Sequence, residues 1–218
     1  LFRSAPRPHM SAKLLEQDVD IVILDHHKTA QSDCEVLFKT GQARGVFDME
    51  RSGCGITWDE LNGDPRPRFV DYMEDRDLWK FSRRYTKEIF AYVASYDYDF
   101  DLYSNLLIKM QNDMDFLDMV SQGESLNRKH MKDINEWIDN GLLETWRFQV
   151  NGVDYDVPVV NCPYTHGSDA AAILLERFPD APFAAYYHST KDGVKWGFRS
   201  EDHRLDVSEV AKVRGGGG

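Results

Sequence analysis

Five of the six residues in Val19-Asp20-Ile21-Val22-Ile23-Leu24 are apolar, and the run stops abruptly at Asp25-His26-His27. A short unbroken apolar run of this kind predicts a buried β-strand, here over 19–24. Residues 9–17 read as a short helix feeding it, and Gly45-Val46-Phe47-Asp48 as a second short strand. Ser52 is placed to cap a helix that runs to about Leu61, where Asn62-Gly63-Asp64-Pro65 ends it. Helical spacing returns from Pro67 to Glu74, with Phe69, Tyr72 and Met73 on one side, and again over 86–95, with Ile89, Phe90 and Val93 as the apolar stripe.

From about Phe100 to Trp146 the pattern is helical with few breakers. Leu126, His130, Ile134, Trp137, Ile138 and Leu142 recur at spacings of three or four and so share a face. Periodicity alone suits either a helical connector between two domains or one more helical layer of a single domain. The last third changes period. Phe148-Gln149-Val150 and Tyr155 to Val160 read as strands joined at Asn151-Gly152, and Ser168 as the cap of a helix from Ala170 to Phe178. Phe183 to His188 and Val194 to Arg199 form a hairpin around Asp192-Gly193, and Asp206-Val207-Ser208 opens a last short helix before the glycines. The expected class is α/β: an α/β segment over 1–100, a helical connector over 101–146 and a smaller α+β unit over 147–218.

Charge narrows the function. A net charge of -11 disfavours a general DNA-binding module, because each neutralised phosphate needs a Lys or Arg nearby. It still allows a short or mononucleotide substrate held by metal ions and a few arginines. Cys34, Cys54 and Cys162 are odd in number and lack CxxC spacing, which argues against a disulfide framework and a zinc ribbon. Without a membrane-length apolar run or a secretory pattern, a cytoplasmic protein with no membrane partner is expected.

An acid and two imidazoles at the carboxyl end of a buried strand suit a metal ion and a phosphate together, since ligands of open α/β sheets gather there. The alternative is a polar strand end with satisfied imidazoles. Asp75 and Asp77 are further metal-ligand candidates, although a Glu-Asp-Arg-Asp run also suits surface ion pairs. Arg199 can grip a phosphate in bidentate fashion and Ser200 can add a hydroxyl; the alternative is an exposed edge arginine. Gly215, Gly216 and Gly217 would let backbone N–H groups approach a phosphate or base. Arg51-Ser52-Gly53 reads as an ordinary N-cap rather than an anion site, and Cys162 as a buried or turn cysteine rather than a nucleophile.

The set resembles the DHH phosphoesterase family. Residues 19–30 look like that family's third motif on its strand, and Tyr72-Met73-Glu74-Asp75-Arg76-Asp77-Leu78-Trp79 looks like its fourth. Arg199-Ser200, Asp206-Val207-Ser208 and the glycine run look like its associated C-terminal substrate domain, which ends in Gly-Gly-Gly-His. The resemblance implies a partial Rossmann-like domain, two Mn²⁺ or Mg²⁺ ions in the complete protein, and a short oligonucleotide or nucleotide as substrate; it leaves room for a homodimer. It implies His26 as a direct metal ligand and His27 nearer the phosphate. Asp25 would be a ligand or orient one, and Asp75 would be the remaining ligand, with Asp77 behind it.

The family's Asp-x-Asp motif and its further bridging Asp precede the DHH strand. Neither is seen in the 24 residues before Asp25, and Asp18 and Asp20 come too late. The expectation is a chain cut from a longer phosphohydrolase, with little or no turnover by itself. Two alternatives stand beside it: a non-catalytic nucleotide-binding or regulatory relative, and a pyrophosphatase-like hydrolase of the same superfamily.

Overall fold

A computed structural model describes residues 19–216, so the predicted helix over 9–17 and Gly217 lie outside the described residues. The described chain is mixed helix and strand and divides into two units, meeting at Asn127 and Arg128.

The first unit begins with β1 (Val22–Asp25), α1 (Lys28–Lys39) and β2 (Arg44–Phe47). The two strands are parallel, with Ile23 opposite Gly45 and Asp25 opposite Phe47. Strand β1 starts three residues later than predicted and takes in Asp25. Helix α1 is an element that the apolar pattern does not predict. Its buried positions are Ala30 and Cys34, with Leu37 and Phe38 only partly covered, so its stripe is too weak to stand out. At Gly45 the backbone of β1 is so close that a Cβ would lie 1.8 Å from the Ile23 carbonyl oxygen.

Helices α2 (Gly53–Leu61), α3 (Arg68–Asp77) and α4 (Thr86–Ala94) follow, close to their predicted limits; α5 (Phe100–Lys109) opens the predicted helical stretch, which breaks at residues 110–112. Ser52 caps α2 as expected, accepting from Gly55 N–H. The apolar stripe of α4, Ile89 and Val93 with Tyr92, packs with Leu106, Met110, Phe116, Met119 and Val120 into the core of this unit. Burying each such side chain contributes about 1.5–3 kcal/mol relative to leaving it exposed.

Helix α6 (Asp113–Trp137) carries the chain into the second unit. The predicted helical stretch ends earlier than Trp146. A wide turn over Ile138–Leu142 leaves helical geometry at Asn140 and Gly141, where φ reaches +93°, and β3 (Leu143–Val150) begins at once. Trp146 therefore belongs to a strand. The four-residue step from Ile138 to Leu142 across Gly141 gave the segment its apparent continuity; the left-handed glycine stops it.

Strands β3, β4 (Val153–Asn161), β5 (Ala184–Thr190) and β6 (Gly193–Arg199) form one sheet in that order. β3 and β4 are antiparallel across Asn151-Gly152, and β5 and β6 are antiparallel across the predicted Asp192-Gly193 turn. β4 and β5 are parallel, joined through α7 (Tyr164–Arg177). Helix α7 starts at Pro163, so Ser168 lies inside it and is not its cap. One sheet face packs Val160 and Ala184 on α7 together with Ile134 and Ile138. The other packs Phe148, Val157, Val159 and Phe183 on Val210 of α8 (Val207–Lys212). No helix among the described residues is long and apolar enough to cross a membrane.

Candidate functional site

The turn from β1 into α1 is built around the Asp25 carboxylate. Its Oδ1 accepts from the backbone N–H of His26 at 2.7 Å and of His27 at 3.2 Å, and lies 2.7 Å from His27 Nδ1. Burial works against ionisation of Asp25, but these contacts with His27 and His26 outweigh it and hold the carboxyl below its ordinary range. An ionised Asp25 only accepts, so the shared proton sits on His27 Nδ1. The free lone pair of a neutral ring then lies on Nε2. The two imidazoles lean together, with ring centres 4.3 Å apart.

His26 is oriented differently. Its Nδ1 is shielded from solvent and has no hydrogen-bond partner. The nearest carboxylate oxygen in ion-pair range is Asp77 Oδ2 at 3.7 Å. That gap is too long for a hydrogen bond. Adjacent octahedral ligands about 2.1 Å from an ion stand about 3.0 Å apart, so the two side chains would close by several tenths of an ångström to share one. The carboxylate suits Mn²⁺ or Mg²⁺, and Mn²⁺ accepts the imidazole more readily than the harder Mg²⁺, which prefers oxygen. His26 and Asp77 are one pair only: among the described residues, no three His, Cys, Asp or Glu side chains converge to hold a metal ion.

Asp75 is placed elsewhere. It is 4% exposed, and its oxygens accept from Ser82 N–H at 2.9 Å, Ser82 Oγ at 2.6 Å, Arg83 N–H at 3.2 Å and Thr86 Oγ1 at 2.6 Å. Burial opposes its charge, yet these donors, Ser82 and Thr86 first, hold its pKa down. It pins the loop between α3 and α4, in which Trp79, Phe81 and Tyr85 all take left-handed φ, at 58°, 46° and 75°. Each such residue costs of order 1–3 kcal/mol and persists only when its surroundings over-determine it. Asp75 is that determinant, and Asp77 is the acid brought to His26.

Glu74 completes the cluster in a way the motif reading missed. Its Oε2 accepts from Ser52 N–H at 2.8 Å and Ser52 Oγ at 3.2 Å, and its Oε1 receives Arg66 Nη1 at 2.6 Å. The anion at the start of α2 is thus the protein's own Glu74. Arg66 also forks onto Asp59, which pairs in turn with Arg51 at 2.8 Å. The Arg66 and Arg51 contacts outweigh a modest burial penalty and pull Asp59 down to about 2. A Cβ at Gly55 would sit 1.9 Å from Glu74 Oε2, so the network needs glycine there. Arg51, Asp59 and Arg66 lie too far apart in sequence for spacing to reveal the network.

The C-terminal candidates lie in the second unit. Arg199 ends β6 opposite Ala184, with Ser200 next to it. Gly215 takes φ +72°; its N–H donates to Lys212 O at 3.0 Å, and Gly216 N–H donates to Ala211 O at 2.9 Å. These two bonds close α8 in the manner of a Schellman cap. Both amides are therefore turned into the helix end, and the expected phosphate contact through them is not presented. Cys162 is 3% exposed, and burial pushes its thiol up to about 11, which leaves it as core packing.

No family model matches the chain, and no solved structure matches it. The chain is similar to an uncharacterized protein of Acanthamoeba polyphaga mimivirus, 29% identical over 216 residues that cover 96% of this chain and 48% of that protein. It spans about half the length of that relative.

Proposed function

We propose that this chain carries part of the catalytic centre of a DHH-type phosphoesterase, a metal-dependent hydrolase of phosphodiester or phosphomonoester bonds in short oligonucleotides or nucleotides. The observation that supports this reading is the shielded, partnerless Nδ1 of His26 lying 3.7 Å from Asp77, beside the Asp25–His27 pair at a strand end. A divalent ion held there supplies polarisation of phosphoryl oxygens and a bound water of lowered pKa. His26 and Asp77 would hold it. Asp25 fixes the His27 ring so that Nε2 is its exchangeable atom, a donor to a phosphate oxygen when protonated and an acceptor when neutral. Arg199 and Ser200 would bind the nucleotide in the second unit.

Two donors do not fix two ions, so the remaining carboxylates would come from outside residues 19–216, and this chain alone is expected to show background hydrolysis of bis-p-nitrophenyl phosphate. The same lack of a third donor among the described residues favours one alternative, a nucleotide-binding relative with a vestigial metal site. Mn²⁺ binding followed by electron paramagnetic resonance tests the proposal. Free Mn²⁺ signal is expected to fall on adding the chain and to be restored by His26→Ala. Asp77→Asn should weaken binding and Asp75→Asn should spare it in the folded fraction. Binding that survives His26→Ala, or no binding at all, would sink the metal-site reading.

A further inference from the structure

A chain of net charge -11 repels a phosphate backbone over most of its surface. The segment from Arg76 to Lys87 inverts that balance. Arg76, Lys80, Arg83, Arg84 and Lys87 stand against a single acid, Asp77, and Trp79, Phe81 and Tyr85 are interleaved with them. Lys80, Arg83, Arg84 and Lys87 are exposed, and the three rings are half-buried. The charges lie over the rings: Arg76 is 4.1 Å from the centre of Trp79, Lys87 is 5.0 Å from Phe81, and Arg84 is 4.4 Å from Tyr85. Lys80 and Arg83 are partly neutralised by Glu50 and Asp71. Arg84 and Lys87 meet no carboxylate at ion-pair distance among the described residues.

We propose that residues 79–87 are a docking surface for single-stranded nucleic acid longer than one nucleotide. Cations neutralise successive phosphates, and aromatic or guanidinium faces accept bases without sequence preference. The loop that carries the three left-handed residues is tied down by the bonds that Ser82, Arg83 and Thr86 make to Asp75. Binding therefore orders little chain, which lowers its entropic cost. The segment also follows Asp77 directly in the chain. The identity of the polyanion rests on the phosphoesterase reading; the charge and ring pattern does not.

Fluorescence anisotropy of the full chain with a labelled single-stranded RNA of about ten nucleotides tests this, in EDTA so that metal and hydrolysis play no part. The chain is expected to bind, and Arg84→Glu/Lys87→Glu to lose at least about tenfold in affinity. The slope of log affinity against log salt should shrink by about 1.4, for two single-strand phosphate contacts. Arg84→Gln/Lys87→Gln should lose less in the same direction, and serves if charge reversal disturbs folding. Lys191→Glu/Lys195→Glu changes the net charge equally in the second unit and is expected to leave affinity within about twofold. No binding by the unaltered chain, an equal loss in that control, or tighter capture of a labelled polyglutamate peptide than of RNA would overturn the proposal. RNA binding that persists while Mn²⁺ binding fails would remove the metal site and leave the docking surface standing.

Discussion

Asp75 and Asp77 sit two residues apart at the end of one helix and have opposite surroundings. Asp75 is buried with four donors on its two oxygens, whereas Asp77 is half-exposed and faces His26. Asp75→Asn removes a charge from those donors and turns one acceptor into a donor, so it is expected to destabilise the first unit by about 2–4 kcal/mol. Urea denaturation measures this, and a loss below about 1 kcal/mol would mean the loop does not depend on Asp75. Composition and spacing put both acids in the motif but could not separate them. What separates them is the return of Ser82, Arg83 and Thr86 onto Asp75, seven to eleven residues downstream, and that depends on φ angles no propensity favours.

Among elements, those with a wide apolar stripe or an explicit cap were legible: Ser52 at α2, Ile89 and Val93 on α4, and the two hairpins of the C-terminal sheet. Helix α1 was not, because small Ala30 and Cys34 make its buried face and its cap is the backbone turn at His27, with no side-chain cap bond. Glycines show a further limit of local reading. A Cβ at Gly45 meets the Ile23 carbonyl, which is backbone inside a ladder; a Cβ at Gly55 meets the tip of Glu74, which can move at the expense of its bonds to Ser52 and Arg66. Gly45→Ala is therefore expected to lower the thermal midpoint more than Gly55→Ala, and the reverse order in a melting comparison would contradict the β1–β2 register.

For the whole molecule, acid should act on the two units in different pH ranges. In the second unit His166 is held below its ordinary value, first by burial and then by the neighbouring His130, whose ring stacks 4.4 Å away. Its contribution is complete above the unfolded imidazole value of about 6.5 and is lost as pH falls through the lower folded value. In the first unit Asp25, Asp59 and Asp75 are lowered, so their contributions are complete above the unfolded value of 3.8 and are lost further down, near 2 for Asp59. Hydrogen exchange at pH 5 is expected to show weakened protection in α7 with α2–α4 unchanged, and His166→Asn should abolish that early loss. Simultaneous loss in both units would refute the assignment.

The residues by themselves determined where hydrophobic periodicity changes, hence the mixed class and most helices and strands, and they put Asp25-His26-His27 at a strand end. Those are properties of neighbours within about ten positions, which backbone geometry alone converts into faces and ends. Only the tertiary structure decided that His26 Nδ1 faces Asp77 and that Glu74 rather than an external anion serves Ser52. Both are choices among chemically equivalent acidic side chains, and they are made by which distant segment the fold brings alongside.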